Sequence, residues 1–348
     1  MAEKKKVRIG LGTFDLIKGI GILAVVIFHA LRFNPEAQME TMGLLANSVG
    51  SLFCGMMPMF FIIGGYGLKQ KPVMKTLKKT FSELVVPYLV AIPIAILLQL
   101  LLWNKTYPDL AHGLEVMKNQ GISFLLGTDA TGPLWFFLAM FIANNVLNLI
   151  LNIRKKWMQA LAVGLCVAAG FAVMHLDFRY FRIIEGMTAV GYCYIGYLLK
   201  EKKLLGTAMY SVWTYIILIP LVLLQLWVNG GAGFDMMKAD YSFLSYALAG
   251  CSGIFLIFIG LFLEQVKWDW LDLIRKCGMY SYWILIVHTI DSIAFPWYVM
   301  WKELESPYLA IPISIGLRIV VIVVGCGIMK KITNLKYKKR MARGSNKK

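Results

Sequence analysis

Ten apolar runs recur along this chain of 348 residues, and most of them are long enough to cross a lipid bilayer. A bilayer core needs roughly 20 mostly apolar residues in one helix. Only 16% of the residues are charged, against about 25% in soluble proteins. The sequence therefore predicts an all-α, polytopic integral membrane protein with about ten transmembrane helices. The runs are 13–32, 47–68, 83–103, 133–152, 157–175, 184–199, 207–229, 242–263, 278–296 and 308–329.

The formal net charge of +17 is distributed according to membrane topology. Of the 36 lysines and arginines, 28 fall on one side of the predicted spans and 7 on the other, and Arg318 falls inside the tenth. Basic residues concentrate on the cytoplasmic side of membrane proteins, so we expect both termini to be cytoplasmic. No nucleic-acid motif accompanies the charge, and we expect its partners to be the lipid bilayer and an anionic cytoplasmic ligand.

The first run, FDLIKGIGILAVVIFHALRF, contains three ionisable residues, Asp15, Lys18 and His29. At about 100° per residue, the eleven-residue step from Lys18 to His29 returns to nearly the same helix face, and Asp15 lies about 40° away. Charged groups are costly in a bilayer, and such a stripe is by default a functional-site candidate. The alternative is that His29 only bonds a neighbouring helix and that Lys18 only marks the membrane interface.

Histidine is the usual general base, because its ordinary pKa of about 6.5 lets it take and return a proton near neutral pH. We therefore take His29 and Asp15 as the catalytic candidates and Lys18 as a candidate for binding the phosphates of a cofactor. Asp15 and Lys18 are expected to shape a cytoplasmic entrance.

The ninth and tenth runs carry further ionisable residues. His288 and Asp291, in SYWILIVHTID, are three residues apart, so their side chains can meet on one helix face. Arg318 needs a buried partner, and Asp291 or Glu185 could supply it. Each of these residues is a candidate either for substrate binding or for holding helices together.

Two further stretches have a structural and a functional interpretation. Trp135 begins the fourth run from the outer side, where aromatic residues commonly form an interfacial belt. Lys75, Lys78 and Lys79 belong to a cytoplasmic basic segment, which is either an ordinary positive-inside loop or a binding site for a cofactor with several phosphates.

Outside the spans the chain offers little room for other domains. We expect a membrane domain over 1–330 and a basic cytoplasmic tail over 331–348. The longest connection, 104–132, is predicted to contain a short helix lying against the outer membrane surface. The six cysteines are scattered without a C-x-x-C pair, and no metal-ligand spacing occurs, so we expect free thiols and no metal.

Four stretches, FDLIKGIGILAVVIFH, LVVPYL, GPLWFFLAMF and SYWILIVH, resemble acyltransferase family 3, in particular its fucose 4-O-acetylase-like branch. The resemblance implies a ten-span enzyme of the cell membrane that passes an acyl group from cytoplasmic acyl-CoA, acetyl-CoA or a longer thioester, to a hydroxyl on the outer side. His29 matches the family's essential histidine of the first span, and Lys18 its basic residue eleven positions earlier. Trp135 and His288 match its fourth-span tryptophan and a later histidine.

One departure from the family concerns the donor site. The paired arginines that precede the family's "PY" element are absent, and Lys75, Lys78 and Lys79 stand nearby, with Glu83 where a basic residue is expected. Lysine is a point charge and lacks the bidentate grip of arginine on phosphate.

The sequence thus predicts a membrane O-acyltransferase acting on a cell-surface sugar, glycan or small hydroxylated acceptor. Two alternatives remain at this stage. The polar stripe could serve a transporter or flippase of a small anion or lipid-linked intermediate, or the chain could be a non-catalytic relative.

Overall fold

A computed structural model gives the structure of the protein, and it describes nine stretches of the chain. They are 11–32, 55–103, 109–174, 176, 180–208, 211–229, 242–266, 268–304 and 306–345.

Within these stretches the chain forms helices and no strand. Each of the ten predicted apolar runs overlaps one of the longer helices, which we number in chain order together with the shorter ones. They are α1 (Asp15–Arg32), α2 (Met56–Gly67), α3 (Val73–Thr80), α4 (Val86–Trp103), α5 (Leu110–Leu126), α6 (Trp135–Ile150), α7 (Lys156–Met174), α8 (Ile183–Glu201), α9 (Leu205–Ala208), α10 (Val212–Asn229), α11 (Phe243–Leu263), α12 (Asp269–Met279), α13 (Ser281–Ala294), α14 (Trp297–Leu304) and α15 (Pro307–Ser345).

Six helical segments of the described chain are long and apolar enough to cross a membrane: Gly12–Ala30, Val73–Leu102, Gly132–Ile150, Lys156–Met174, Phe243–Leu263 and Leu309–Lys331. Two shorter apolar helices, α2 and α10, accompany them. The predicted all-α, polytopic membrane architecture is confirmed, and the count of ten spans stays a prediction.

The helices pack in two groups. In the first, α8 lies against α2, α6 and α7, while α11 packs against α2 and α10. In the second, α13 lies against α4 and α15. Helix α1 contributes to both, because Ile17 belongs to the core of the first group and Ile22 and Val26 to that of the second. It therefore lies where the two groups meet.

The long connection that the sequence places on the outer side contains the predicted helix, α5. Asp109 caps its first turn by accepting a hydrogen bond from the backbone N–H of His112 at 2.7 Å. Gly127 ends the helix in the left-handed conformation, at φ +65°, which glycine adopts at low cost. Tyr88 of α4 donates to the carbonyl of Phe124 at 2.7 Å. The end of α5 is thus fastened to the bundle, and its contact with the membrane stays a prediction.

At the C-terminal end, α15 continues without a break from the tenth apolar run to Ser345. The basic segment from 331 to 345 is therefore a helical extension of the last span. The predicted boundary at 330 coincides with no break in this helix.

Candidate functional site

The register of the site is set by a close approach of α1 and α12. A Cβ atom on Gly278 would overlap the carbonyl of Asp15, and one on Gly19 would overlap the carbonyl of Ile274. Only glycine at both positions lets the two backbones come this close. This contact aligns the N-terminal end of α1 with the segment that leads into α13.

His29 and His288 meet further along the same two segments. His29 follows Gly19 by ten residues, and His288 follows Gly278 by ten residues. Their ring centroids lie 5.4 Å apart, with the ring planes inclined by 51°. His29 is partly exposed, whereas His288 is fully buried. The structure thus brings together two histidines that are far apart in the sequence.

A buried ion pair lies behind His288. Asp291 Oδ2 is 3.9 Å from His288 Nδ1 and accepts a hydrogen bond from Arg318 Nη1 at 2.7 Å. Arg318 also donates to Ser292 Oγ at 3.2 Å, and its guanidinium lies 4.2 Å from the centre of the Trp297 ring. Asp291 and Arg318 are fully buried. The expected meeting of His288 with Asp291 and the pairing of Arg318 with Asp291 are both present.

Glu185, the other candidate partner of Arg318, is engaged elsewhere. It accepts a hydrogen bond from Arg182 Nη1 at 2.9 Å, and both side chains are buried. Arg182 Nη2 also donates to the carbonyl of Thr128 at 2.6 Å. This second pair therefore fastens the segment after α5 to the start of α8.

Several polar atoms beside the histidine pair have no hydrogen-bond partner among the described residues. They are both ring nitrogens of His288 and Oδ1 of Asp291. Leaving a buried polar group unsatisfied costs about 1–3 kcal/mol. Such atoms next to one another are suited to receive a polar group of a ligand, or water.

Asp15 and Lys18 pair at the other end of α1. Their Oδ1 and Nζ atoms are 2.6 Å apart, and both side chains are partly exposed. Asp15 precedes His29 by fourteen residues, which is about 21 Å along the helix axis. Asp15 is therefore grouped with Lys18, and a direct contact between this carboxylate and His29 is excluded by distance.

The basic segment is held in place by asparagines of α6. Asn148 exchanges two hydrogen bonds with the backbone of Lys71, at 3.1 and 2.9 Å, and Asn145 donates to Thr80 Oγ1 at 2.9 Å. The sequence analysis gave no role to these asparagines, although amides inside an apolar run are a detectable signal. They fasten both ends of the segment that carries α3.

On α3, the predicted donor-site lysines point away from the bundle. Lys75, Lys78 and Lys79 are exposed, whereas Thr76 and Thr80 of the same helix are buried. Lys79 Nζ lies 3.4 Å from Glu83 Oε2, so part of the positive charge is already paired. The group remains accessible to an anion from the cytoplasmic side of the predicted topology.

Trp135 begins α6 inside an aromatic cluster. Its ring is 6.4 Å from that of Phe61 and 6.3 Å from that of Phe136. The turn before it, Asp129–Leu134, packs against α13, and Gly132 lies beside Thr289, the residue after His288. Trp135 therefore contacts the interior of the bundle, which a residue of an interfacial belt does not require.

Two residues near the site were missed by the sequence analysis. Trp297 stacks on Arg318, and its Nε1 donates to the carbonyl of Asp291 at 3.2 Å. Gly278 sets the approach of α12 to α1. Neither has a sequence signal that separates it from ordinary interfacial tryptophans and helix-packing glycines. Within the described chain, no group of His, Cys, Asp or Glu side chains could hold a metal ion.

A family model described as an acyltransferase domain matches residues 11–330, and this match includes every residue of the site. The chain belongs to acyltransferase family 3. The predicted family is confirmed, and the fucose 4-O-acetylase-like branch stays a prediction. No curated protein and no solved structure matches the chain. The roles of individual residues in this acyltransferase are therefore assigned from the local geometry.

Proposed function

We propose that this protein of acyltransferase family 3 transfers an acyl group, acetyl or longer, from cytoplasmic acyl-CoA to a hydroxyl on the outer side of the cell membrane. The acceptor class is a sugar, a glycan or a related small molecule. The observation that carries the proposal is the position of His29, which is partly exposed and faces buried His288 where the two helix groups meet.

In this reaction His29 is the general base. A hydroxyl is a poor nucleophile until its proton is removed. One ring nitrogen of His29 takes the proton as the oxygen forms a bond to the thioester carbonyl carbon. The bond from carbon to sulfur then breaks, and the electron pair stays on sulfur. The CoA thiolate takes the proton from His29.

The donor enters from the cytoplasmic side in this proposal. Lys18, at the inner end of α1, and Lys75, Lys78 and Lys79 on α3 attract the phosphates of CoA. Support comes from the exposure of the α3 lysines and from the asparagine contacts that fix their segment. Asp15 holds Lys18 in place through their ion pair.

The acceptor approaches from the opposite side, near the end of α5 and the turn before Trp135. That turn packs on the helix of His288, so an acceptor bound there has a short path to the histidine pair. Trp135 offers an aromatic face near this path, a surface suited to an apolar sugar face.

The test measures release of the CoA thiol from acetyl-CoA by the purified full-length protein with a mixture of cell-surface glycans as acceptor. His29→Ala removes the proposed base. Ile27→Ala, on the exposed face of the same helix, is the matched control. We expect release by the wild type and by Ile27→Ala, and none above background by His29→Ala, with all three proteins folded in detergent.

Equal release by the wild type and His29→Ala would remove His29 from the mechanism. A wild type that moves a labelled anion or lipid-linked sugar across vesicles without consuming acyl-CoA would replace the proposal with transport.

A further inference from the structure

His288 is a buried imidazole whose hydrogen-bonding capacity is unused within the described chain. Its side chain has no exposed surface, yet neither ring nitrogen has a hydrogen-bond partner. The next residue, Thr289, behaves differently, because its hydroxyl donates to the carbonyl of Leu285 at 2.9 Å. A neutral imidazole has one N–H donor and one acceptor nitrogen. The ring nitrogens of His288 are thus available for a contact that the described residues do not supply.

The distance to His29 identifies that contact. Two imidazoles joined edge to edge by an N–H···N hydrogen bond have ring centroids about 5 Å apart, given a donor–acceptor distance of about 2.9 Å. The observed centroid separation is 5.4 Å. Hydrogen bonds of a catalytic site are often long or misaligned until the substrate binds. The centroid separation therefore leaves room for this bond once a ring N–H of His29 is directed at His288.

The surroundings of His288 decide which of its nitrogens can accept. Asp291 lies on the Nδ1 side, 3.9 Å away, and favours a proton on Nδ1. Arg318, from α15, neutralises this carboxylate, so His288 is not forced into the imidazolium form. The helix α11, which also packs against α1, carries no charged residue. Lys18 and Asp15 lie at the far end of α1. The Nε2 atom of His288 is then left as an acceptor.

We infer that Nε2 of His288 accepts a hydrogen bond from the ring N–H of His29, and so fixes the tautomer in which the other nitrogen of His29 is the base. The inference rests on the proposed function and assigns His288 as a positioning residue. When His29 takes the hydroxyl proton, its imidazolium is stabilised by the same bond. His288 keeps its own proton throughout, and the proton taken by His29 goes to the CoA thiolate.

The test compares three substitutions at position 288 in the full-length protein, with acetyl-CoA and the acceptor that supports wild-type turnover. The amide oxygen of glutamine reaches the position of Nε2, whereas that of asparagine reaches the position of Nδ1. We expect kcat to fall by between about tenfold and a hundredfold in His288→Leu and His288→Asn, the range that applies when the hydrogen-bond partner of a metal-bound histidine is removed. His288→Gln should recover most of that loss, and the KM for acetyl-CoA should stay constant in all three.

The pH profile gives a readout that a purely structural role would not move. Removing the acceptor removes the hydrogen bond that stabilises the His29 imidazolium, so the acidic limb of the kcat profile moves to lower pH in His288→Leu. His288→Gln should return the limb towards its wild-type position. A limb that stays in place in every variant, or a glutamine variant no better than asparagine, would overturn the assignment.

A spectroscopic readout separates this inference from the acyltransferase proposal. The ¹⁵N chemical shifts of histidine report which ring nitrogen of His29 carries the proton, without any turnover. We expect one dominant tautomer in the wild type and in His288→Gln, and a mixture in His288→Leu. Identical His29 shifts in the wild type and His288→Leu would refute the coupling. A wild type without transfer activity would instead refute the proposed function.

Discussion

The described part of the chain contains two buried arginine–carboxylate pairs that differ in what surrounds them. Arg318 and Asp291 join α15 to α13, are fully buried, and lie beside His288. Arg182 and Glu185 are only three residues apart, at the start of α8, and the arginine also donates to the carbonyl of Thr128. The first pair brings distant helices together at the histidines, and the second fastens the segment after α5 to the start of α8.

The difference teaches how to separate a site from a scaffold when both use the same residue types. The Arg182 pair is formed between neighbours in the sequence, and its spare guanidinium nitrogen Nη2 is used by backbone. The Arg318 pair adjoins buried histidine nitrogens and a carboxylate oxygen without partners among the described residues. Glu185 Oε2 of the other pair also lacks a partner among the described residues, so an unsatisfied carboxylate oxygen alone does not separate the two pairs. The neighbouring histidines distinguish the Arg318 pair.

The largest effect is expected from removing one charge of the Arg318–Asp291 pair. Arg318→Leu leaves the Asp291 carboxylate buried without its cation and should lower the free energy of unfolding by about 3–5 kcal/mol. The double variant with Asp291→Leu should recover most of that stability, because both charges are gone, but not the kcat. Thermal unfolding in detergent and acetyl transfer together measure this. A double variant with wild-type kcat would show that the pair is scaffold only.

Loss of the Arg182–Glu185 pair should lower stability without changing the kinetics. Glu185→Leu leaves Arg182 buried and should also cost about 3 kcal/mol of stability. Per folded molecule, however, the pH profile and the KM for acetyl-CoA should stay those of the wild type, because the pair does not touch the histidines. A shift in the acidic limb equal to that expected for His288→Leu would erase the distinction between the two pairs.

A smaller effect is expected where α1 meets α12. Gly278→Ala puts a methyl group against the Asp15 carbonyl and should cost about 1–3 kcal/mol through overpacking. It should also lower kcat, because α13 and His288 shift with the helix before it. Gly327→Ala on α15 is the control, since nothing lies within 4 Å of its added Cβ. Equal kcat values for the two variants would remove the role of Gly278 in setting the register.

The smallest effect concerns the exposed pair of Lys79 with Glu83, at 3.4 Å. Exposed ion pairs are worth about 0.2–1 kcal/mol. Glu83→Gln frees the lysine and should lower the KM for acetyl-CoA by about two- to fivefold, while Lys79→Gln should raise it. Steady-state kinetics at low and high salt check this, because salt screens exposed charges. A KM that is unchanged in both variants would exclude this part of α3 from the donor site.

The positions of the apolar helices were predictable from the sequence, because apolar runs of about 20 residues are typical of membrane-spanning helices. The pair of Asp15 with Lys18 and the approach of Asp291 to His288 were also predictable, since residues three apart share a helix face. The asparagine contacts of α6 and the stacking of Trp297 on Arg318 were not. They depend on which helix lies opposite, and the periodicity of one segment carries no information about its neighbour.

The sequence by itself thus determined a membrane-embedded helical protein, its family likeness and the polar stripe that carries His29. Only the tertiary structure decided that His29 meets His288, that Arg318 pairs with Asp291 rather than Glu185, and that two glycines align the segments involved. The physical reason is that apolar surfaces facing lipid and those facing another helix have the same composition. Which faces come together is decided by close packing and by the pairing of buried charges.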